Sequence, residues 1–308
     1  MVFRLSVSLI IPTLNASSYL SELTKTLRVQ TLPPLEIIII DSSSNDNTQQ
    51  LALEAGCILE VIPRSAFDHG GTRNKAARLA RGDILVFLTQ DVLPQNQHFI
   101  ENLVRPIVNG TASASYARQV ASPTASPLER FFRAYRFPSV SSLKSAEVGQ
   151  SLSVQDVQFS NAASAISSAA FWELGGFTEG VILGEDVMLA SKLLKAGHAI
   201  AYQADAVVWH THDYGLMQQF KRYFDIGACY SRAGDALGGA KASGEGVKLA
   251  RAQFAFLLNE RAYTWMPRAV LELGAKWLGY RLGYLERWLP LWLKRRVSLQ
   301  PGFWRDGR

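Results

Sequence analysis

Acidic side chains and histidines occur in this sequence at the predicted ends of buried strands and helices. Asp91 closes the segment 82–91, in which the continuous apolar run 84–88 predicts a strand buried on both faces. Ligands of open parallel sheets bind outside the carboxyl ends of the strands, so Asp91 is a candidate ligand for a metal or a polar substrate. Taken alone, an Asp after a strand equally fits a turn or a helix cap.

Two further predicted strands end in polar side chains at the same edge of the sheet. Thr13 and Asn15 follow the first strand, and Asp41 and Ser43 follow the second. Together with Asp91, these side chains predict a crevice that holds a nucleotide, in which Asp41 accepts hydrogen bonds from a base or a ribose. Three ordinary capping loops are the alternative interpretation.

Phosphate groups would need a partner other than a glycine-rich loop. The first predicted strand is followed by neither Gly-x-Gly-x-x-Gly nor Gly-x-x-x-x-Gly-Lys-Ser, so the usual signatures of dinucleotide redox chemistry and P-loop hydrolysis are missing. We expect Arg73, Lys75 or a metal bound to Asp91 to contact the phosphates instead.

An acidic pair and a pair of histidines lie farther along the chain. Glu185 and Asp186 begin a predicted helix, where acidic residues are also favoured simply as caps. His210 and His212 follow the predicted strand 206–209, and an extended His-x-His places both imidazoles on one face, as a metal site requires. Histidines also serve structural roles, and both interpretations remain open for this pair.

The elements that must position these residues alternate along the chain. Apolar runs predict strands at 7–11, 36–40, 59–62, 84–88, 112–120, 161–167, 199–202 and 206–209. Helical spacing predicts helices at 20–30, 48–55, 76–80, 97–108, 169–174 and 184–197. This alternation predicts an α/β fold with a mostly parallel central sheet and helices on both faces. The stretch 121–158 is rich in Ser, Pro and Ala, and it fits either a mobile flap over the crevice or a surface loop.

The last part of the chain carries the whole positive surplus. The formal net charge is +6, and residues 265–308 contain nine Lys or Arg against three acidic residues. The same stretch holds five of the seven Trp, and helical patterns run from 216 to 232 and from 247 to 293. Trp and Arg on amphipathic helices suit the headgroup region of an anionic membrane. A helical subdomain with a basic solvated face, or a dimer interface, is the alternative. Nucleic acid is disfavoured because no recognised binding module accompanies the charge.

The expected compartment is the cytoplasm. Cys57 and Cys229 offer neither metal-ligand spacing nor a disulfide framework, which fits a reducing environment. The first residues lack a signal-peptide pattern, and no uncharged apolar run reaches the roughly 18 residues that span a bilayer. We therefore expect a cytoplasmic protein that lies peripherally on the inner face of the plasma membrane.

Several short motifs, in the order found here, resemble the family 2 glycosyltransferases with the GT-A fold. They lie at 9–15, 41–48, 73–74, 80–91, 175–177, 184–186 and 209–210. The resemblance implies a Rossmann-like GT-A domain at 1–232, and the basic, Trp-rich helical pattern beyond it predicts a separate C-terminal region at 233–308. More narrowly, the motifs at 67–74, 88–91 and 219–225 are similar to those of bacterial rhamnosyltransferases of surface polysaccharide assembly.

By this resemblance the protein is an inverting glycosyltransferase with a nucleoside diphosphate sugar as donor, expected to be dTDP-L-rhamnose, and a saccharide or lipid-linked acceptor. Asp186 is then the catalytic base, and Glu185 orients Asp186 or the acceptor. The nucleotide-sugar site comprises Pro12, Thr13, Asn15, Asp41, Ser43, Arg73, Gln90 and Asp91. The candidate ligands of Mg²⁺ or Mn²⁺ are Asp91, His210 and His212. The acceptor site comprises Trp172, Gly175, Gly176 and Phe177.

One residue departs from the family pattern. Thr89 stands in place of the first Asp of the Asp-x-Asp motif, which removes a charged ligand and weakens the case for tight metal binding. His212 could assist or replace His210, and the sequence does not separate them. Three alternative functions stay open: the same chemistry with a UDP-hexose, a nucleotidyltransferase without its glycine-rich loop, and a non-catalytic sugar-nucleotide-binding or scaffold protein. A homodimer is also compatible with the sequence.

Overall fold

The computed structural model describes residues 5–147, 150–153, 155–233 and 245–305 of the 308-residue chain. Nine strands lie within these ranges: β1 (Val7–Thr13), β2 (Glu36–Asp41), β3 (Ile58–Val61), β4 (Ile84–Leu88), β5 (Leu93–Pro94), β6 (Ala114–Val120), β7 (Ser142–Lys144), β8 (Ala163–Ser167) and β9 (Ile200–Trp209). They form one sheet in the order β3-β2-β1-β4-β8-β6-β9-β5, and β7 pairs with β9.

The first half of the sheet is parallel and the second half is mixed. β1 pairs in parallel with β2 and β4, and β2 pairs in parallel with β3. β8 runs antiparallel to both β4 and β6, while β6 and β9 are parallel. Because β1, β2 and β4 share one direction, their carboxyl ends meet at a single edge, where polar residues follow each of them.

Helices cover both faces of this sheet. They are α1 (Ser17–Arg28), α2 (Thr48–Glu54), α3 (His69–Ala77), α4 (Phe99–Val108), α5 (Pro127–Arg136), α6 (Ser168–Glu173), α7 (Glu185–Lys195), α8 (Leu216–Ala233), α9 (Glu245–Asn259), α10 (Met266–Tyr284) and α11 (Leu291–Val297). Successive residues of β1 point to opposite faces. Leu9 and Ile11 therefore join a core with α1 and α4, whereas Ile10 joins a core with α3 and α7. The predicted α/β layering is present.

Two helices differ from the sequence-based prediction. α3 begins at His69 rather than at 76, because Oδ1 of Asp68 accepts a hydrogen bond from the amide of Gly71 at 2.6 Å and caps the helix. α5 lies inside the stretch predicted as a flap or loop. Its cap is Ser126, whose Oγ accepts from the amide of Glu129 at 3.2 Å, and its apolar side is buried. The stretch 121–158 is therefore partly a packed helix.

The predicted strands 199–202 and 206–209 are one continuous strand, β9. Its register against β6 shifts between Ala117 and Arg118, which pair with Gln203 and Val207. The intervening residues of β9 form an irregularity that the partner strand does not match. The strand therefore runs its full length and carries the chain to His210 at the same edge as the ends of β1, β2 and β4.

The C-terminal helices pack on the rest of the chain through α8. A Cβ added at Gly227 would lie 2.2 Å from the carbonyl oxygen of Tyr280, and one at Gly283 would lie 2.0 Å from that of Phe224. The backbones of α8 and α10 are thus in direct contact, and a side chain at either glycine would force the two helices apart.

The last described residues return to the body of the protein. Trp304 is fully buried against Phe224, and Arg305 donates a hydrogen bond to the carbonyl oxygen of Ser65 at 2.7 Å. The predicted boundary at 232 falls beside the end of α8 at Ala233 and stays a prediction, because most of the Gly-rich break, 234–244, lies outside the described residues. No helix in the described part of the chain combines the length and the apolar character needed to cross a bilayer.

Candidate functional site

Three side chains of metal-ligating types, the candidate metal-binding group, meet at the edge where β4 and β9 end. The carboxylate of Asp91 and the imidazoles of His210 and His212 each offer a ligand atom, and these atoms lie within 4.8 Å of one another. Nε2 of His210 is 3.6 Å from Oδ1 of Asp91, and Nε2 of His212 is 3.6 Å from Oδ2. Both distances exceed a hydrogen bond, and Nε2 of His210 is buried without a hydrogen-bond partner. This donor set fits a divalent cation.

Strand pairing positions this group. β4 ends at Leu88, and the turn that contains Asp91 leads to β5, which pairs antiparallel with the end of β9. Leu93 lies opposite Trp209, the residue before His210. This pairing holds the carboxylate of Asp91 beside His210. The ring of His212 stacks on the ring of Tyr214, with centroids 5.0 Å apart.

Burial sets the protonation state of the two imidazoles. It lowers the pKa of His210 and, together with the neighbouring His210, lowers the pKa of His212 to about 3. Both rings are therefore neutral near pH 7, which is the form that binds a metal.

A second layer of polar residues supports the histidines, and sequence reasoning missed it. Oε1 of Gln119 lies 2.8 Å from Nδ1 of His210 and accepts a hydrogen bond from Arg133 at 2.5 Å. Oε1 of Glu129 accepts from Nε of Arg133 at 2.7 Å and from the amide of His212 at 3.0 Å. Glu129 and Arg133 lie in the stretch 121–158, predicted as a flap or a surface loop, and no local pattern linked them to the histidines.

Asp186 lies at the start of α7 and remains half-buried. Its Oδ2 accepts a hydrogen bond from the amide of Asn161 at 3.2 Å, and its Oδ1 accepts from the amide of Val187 at 2.8 Å. Burial and, second, the negative charge of Glu185 raise the pKa of Asp186 to about 7. A carboxyl with this pKa is matched to proton abstraction near neutral pH.

Glu185 is buried and paired with a cation. Its Oε1 lies 3.2 Å from Nη1 of Arg73, with both side chains 6 % exposed, and 3.2 Å from Nδ2 of Asn161. Burial disfavours the charge of Glu185, but Arg73 and His69 outweigh this effect and lower its pKa. Arg73, predicted to line the nucleotide site, is thus joined to the acidic pair.

A series of contacts places the acidic pair and the candidate metal-binding group at one edge of the sheet. The amide of Thr89, two residues before Asp91, donates to the carbonyl oxygen of Ala162 at 3.2 Å. The neighbouring Asn161 binds Asp186. Asp91 and Asp186 therefore flank the same strand pair, β4 and β8, although nearly a hundred residues separate them in the sequence.

The predicted nucleotide residues form a connected loop structure at the ends of β1 and β2. Asp41 is fully buried, and its carboxylate accepts hydrogen bonds from Thr13 at 2.9 Å and from the amide of Ser44 at 2.8 Å. Oε1 and Nε2 of Gln90 bind the amide and the carbonyl of Leu14. Gln90 therefore ties the loop after β4 to the loop after β1.

The remaining predicted nucleotide residues at this edge are Pro12, near the end of β1, and Asn15 and Ser43, in the loops after β1 and β2. Asn15 and Ser43 adopt left-handed backbone angles, with φ of 50° and 56°. Oδ1 of Asn15 accepts from the amide of Asn45 at 2.9 Å, and Oγ of Ser43 donates to the carbonyl of Ile62 at 2.8 Å. These residues shape the loops, and their contact with a nucleotide stays a prediction.

The predicted acceptor residues are divided between surface and core. Trp172 is 37 % exposed, and the guanidinium of Arg78 lies 5.8 Å from its ring centroid. Gly175 and Gly176 form a left-handed turn with φ of 74° and 72°. The ring of Phe177 is buried, edge-on to two other phenylalanines, so the structure gives it a packing role in place of the predicted contact with an acceptor.

A family profile and two relatives that match nearly the whole chain all describe glycosyltransferases. The profile described as glycosyl transferase family 2 matches residues 8–173. The chain is 38% identical to the O-antigen chain rhamnosyltransferase RfbN of Salmonella typhimurium, over 98% of this chain and 97% of that protein. It is also 38% identical to the O-antigen chain rhamnosyltransferase WbaN of Salmonella anatum, over 98% of this chain and 96% of that protein.

Two solved structures have a similar backbone. The mannosyltransferase PcManGT from Pyrobaculum calidifontis, in complex with GDP-Man and Mn²⁺, superimposes with a TM-score of 0.60 at 18% identity, over 92% of this chain and 86% of that chain. S. aureus TarS 1–349, in complex with UDP-GlcNAc, superimposes with a TM-score of 0.52 at 16% identity, over 92% of this chain and 91% of that chain. At these identities the similarity concerns the fold.

Proposed function

The chain belongs to glycosyltransferase family 2, an inverting family, and we propose that it transfers L-rhamnose from dTDP-L-rhamnose to a saccharide or lipid-linked acceptor during O-antigen or exopolysaccharide synthesis. Family membership confirms the glycosyltransferase activity predicted from the sequence, and the GT-A fold is confirmed by the solved structures. The donor sugar is proposed because rhamnosyltransferases match nearly the full length of the chain, including its C-terminal helices.

Asp186 is the proposed catalytic base. It takes the proton from the acceptor hydroxyl as that oxygen attacks the anomeric carbon from the side opposite the diphosphate, which inverts the configuration. The observation that carries this assignment is that Asp186 is half-buried and shares one edge of the sheet with the metal-binding group. Its pKa of about 7 makes it a competent base near neutral pH without full ionisation at rest.

Asp91, His210 and His212 are the proposed ligands of Mg²⁺ or Mn²⁺. The second histidine supplies the third protein ligand that Thr89, in place of an Asp, cannot supply as a charged group. A divalent ion bound there would offset the negative charge that develops on the leaving diphosphate. The mixed nitrogen and oxygen donors favour Mn²⁺, because Mg²⁺ prefers oxygen ligands alone.

The loops after β1, β2 and β4 are proposed to hold the nucleotide. The proposed nucleotide contacts are Pro12, Thr13 and Asp41 at the ends of β1 and β2, Asn15, Ser43 and Gln90 in the loops that follow, and Arg73 on α3. Glu185 is proposed to orient Asp186, because both contact Asn161. Trp172, Gly175 and Gly176 are proposed to line the acceptor site, where an exposed indole can stack on a sugar ring.

The C-terminal helices are proposed to rest on the anionic inner face of the plasma membrane, so that the protein is cytoplasmic and peripheral. Trp277, Trp288 and Trp292 are 66%, 77% and 65% exposed. Arg287 and Arg295 are exposed beside them in the sequence. Exposed indoles next to guanidinium groups suit the interface between lipid headgroups and acyl chains. A second copy of the chain on this face is the alternative.

Flotation with anionic liposomes tests the membrane proposal. Replacing Trp288 and Trp292 by Ala should reduce the floated fraction several-fold, whereas replacing Tyr19, exposed on α1, should leave it unchanged. Equal flotation of all three proteins would refute the proposal. Dimerisation through the same face would instead appear as a concentration-dependent mass that the double replacement abolishes.

Donor choice and catalysis are tested together. Thermal-shift titration with dTDP-L-rhamnose and with UDP-hexoses, with and without Mn²⁺, ranks the donors, since a ligand that binds only the folded state raises its stability. If dTDP-L-rhamnose stabilises the protein no more than UDP-hexoses, the rhamnose assignment fails. Asp186→Asn should reduce transfer at least about a hundredfold while donor binding persists. Unchanged transfer in that variant would favour a non-catalytic binding protein.

A further inference from the structure

We propose that Gln119 and Arg133 are positioning residues that fix which nitrogen of His210 carries the proton, and so aim the Nε2 lone pair at the cation site beside Asp91. The proposal rests on the metal-binding part of the proposed function. Gln119 lies on β6 and Arg133 on α5, and the two side chains are buried, at 1% and 6% exposure.

The contacts of Gln119 identify its amide oxygen. A guanidinium group has only donors, so its 2.5 Å contact with Gln119 requires an acceptor at that position. The atom assigned as Oε1 must therefore be the carbonyl oxygen. The opposite orientation would place two donors against each other. Nε2 of Gln119 donates to Oγ of Ser160 at 2.9 Å, which agrees with this assignment.

The orientation of the Gln119 amide determines which nitrogen of His210 carries the proton. Oε1 of Gln119 lies 2.8 Å from Nδ1 of His210, and an oxygen with lone pairs attracts only a nitrogen that carries hydrogen. In the neutral ring, Nδ1 then holds the proton and Nε2 holds the lone pair. Nε2 is buried without a partner, 3.6 Å from Oδ1 of Asp91. Two groups with lone pairs thus face each other across a gap, as two ligands of one cation do.

The competing tautomer makes poorer contacts. Nη1 of Arg133 also approaches Nδ1 of His210, at 3.2 Å, and could donate to it if the proton were on Nε2. In that case the oxygen of Gln119 would oppose a lone pair at 2.8 Å. The Nε2 proton would point at a carboxylate oxygen 3.6 Å away, too far for a hydrogen bond. The geometry therefore favours the proton on Nδ1.

Glu129 extends this support to the second histidine. It neutralises the buried charge of Arg133 through the 2.7 Å contact with Nε, and the same oxygen accepts from the amide of His212 at 3.0 Å. One buried ion pair on α5 therefore holds the side chain of His210, through Gln119, and the backbone of His212. Such outer contacts typically contribute 10–100-fold to metal affinity.

Mn²⁺ binding to the full chain, measured by electron paramagnetic resonance without donor or acceptor, tests the affinity. Gln119→Met keeps the volume and removes the acceptor, so the Mn²⁺ dissociation constant should rise by about 10–100-fold. Gln119→Glu keeps an acceptor for both His210 and Arg133, so it should bind Mn²⁺ within about threefold of wild type. Gln97→Met, at an exposed position, is the matched control and should not change binding.

The tautomer itself is read by nitrogen-15 NMR of the imidazole rings in the metal-free protein, with His210→Gln identifying the signals. We expect the proton on Nδ1 in wild type and in Gln119→Glu, and a mixed or reversed population in Gln119→Met. A proton on Nε2 in wild type overturns the proposal, as does wild-type Mn²⁺ affinity in Gln119→Met. Equal weakening by the Met and Glu replacements would also overturn it.

The same measurements separate this proposal from the function on which it rests. If wild type binds no Mn²⁺, the metal-binding part of the proposed function fails and this proposal fails with it. If wild type binds Mn²⁺ and carries the proton on Nε2 of His210, only the positioning role of Gln119 and Arg133 fails.

Discussion

Replacing Glu185 by Gln should move the acidic limb of the rate–pH profile to lower pH. The pKa of Asp186, the proposed base, is raised from 3.8 to about 7 by burial first and by the charge of Glu185 second. A general base works only when deprotonated, so the rate falls as the pH drops through this pKa. Gln retains the size of Glu185 and an oxygen for Asn161, 3.2 Å away, but it removes the negative charge.

The size of the effect follows from these causes. Burial is the larger cause of the raised pKa of Asp186 and the negative charge of Glu185 is the second, so removing that charge lowers the pKa of Asp186. The replacement also frees the guanidinium of Arg73 from its partner at 3.2 Å, and a nearby positive charge favours the ionised carboxylate. Both changes lower the pKa of Asp186, so the limb should shift by at least about one pH unit.

The assay is kcat/KM for transfer, measured from about pH 5 to about pH 9 at saturating metal, because this ratio reports the base in the free enzyme. The rate at high pH should also fall modestly, since a base with a lower pKa is weaker. Glu173→Gln, an exposed carboxylate 3.4 Å from His198, is the control and should leave the profile in place. A limb that stays fixed or moves to higher pH would refute the inferred effect of the Glu185 charge on the pKa of Asp186.

Three further outcomes are expected. Asp186→Asn should raise the thermal midpoint while transfer falls at least about a hundredfold. The gain should be larger near pH 8 than near pH 4, because a carboxyl whose folded pKa exceeds its unfolded value lowers the stability progressively as the pH rises from the unfolded pKa through the folded pKa. Calorimetry at both pH values measures the gain. His212→Gln should weaken Mn²⁺ binding at least about tenfold by calorimetric titration, and unchanged affinity would remove His212 from the ligand set. Gly283→Ala should lower the thermal midpoint, because its Cβ would lie 2.0 Å from the carbonyl oxygen of Phe224, whereas Gly274→Ala, with open space around it on the same helix, should be neutral or stabilising by up to about 1 kcal/mol.

Much of the fold was predictable because local patterns agree with the tertiary structure. The run 84–88 was predicted as a strand and is β4, since continuous β-branched and apolar residues fit a strand buried on both faces. The start of α3 was missed because its first turn contains Gly70 and Gly71, which disfavour helices. Tertiary packing decides there: a Cβ at Gly70 would lie 2.2 Å from the carbonyl oxygen of Thr178.

Residues of the candidate site were predictable only where they belong to a recognisable sequence motif. Asp91, His210 and His212 were predicted as ligands, and the structure brings their ligand atoms together. Gln119 and Asn161 were missed, because they act through contacts between strands that are distant in sequence and have no motif of their own. Phe177 was assigned to the acceptor because it follows two glycines of a family motif, yet its ring completes an aromatic cluster in the core.

The glycine contacts between α8 and α10 have a mechanical consequence. Helices whose backbones touch have no intervening side chains to rearrange, so the pair moves as one body. α8 begins directly after the segment in which Tyr214 stacks on His212, and Arg268 at the start of α10 donates to the carbonyl of Tyr214. If the tryptophan-bearing face of the C-terminal helices lies on lipid, the rigid pair α8 and α10 fixes the distance between the bilayer and the sheet edge that carries Asp91 and Asp186. A membrane-anchored acceptor glycan could then reach the donor sugar only if the length of the glycan matches this distance.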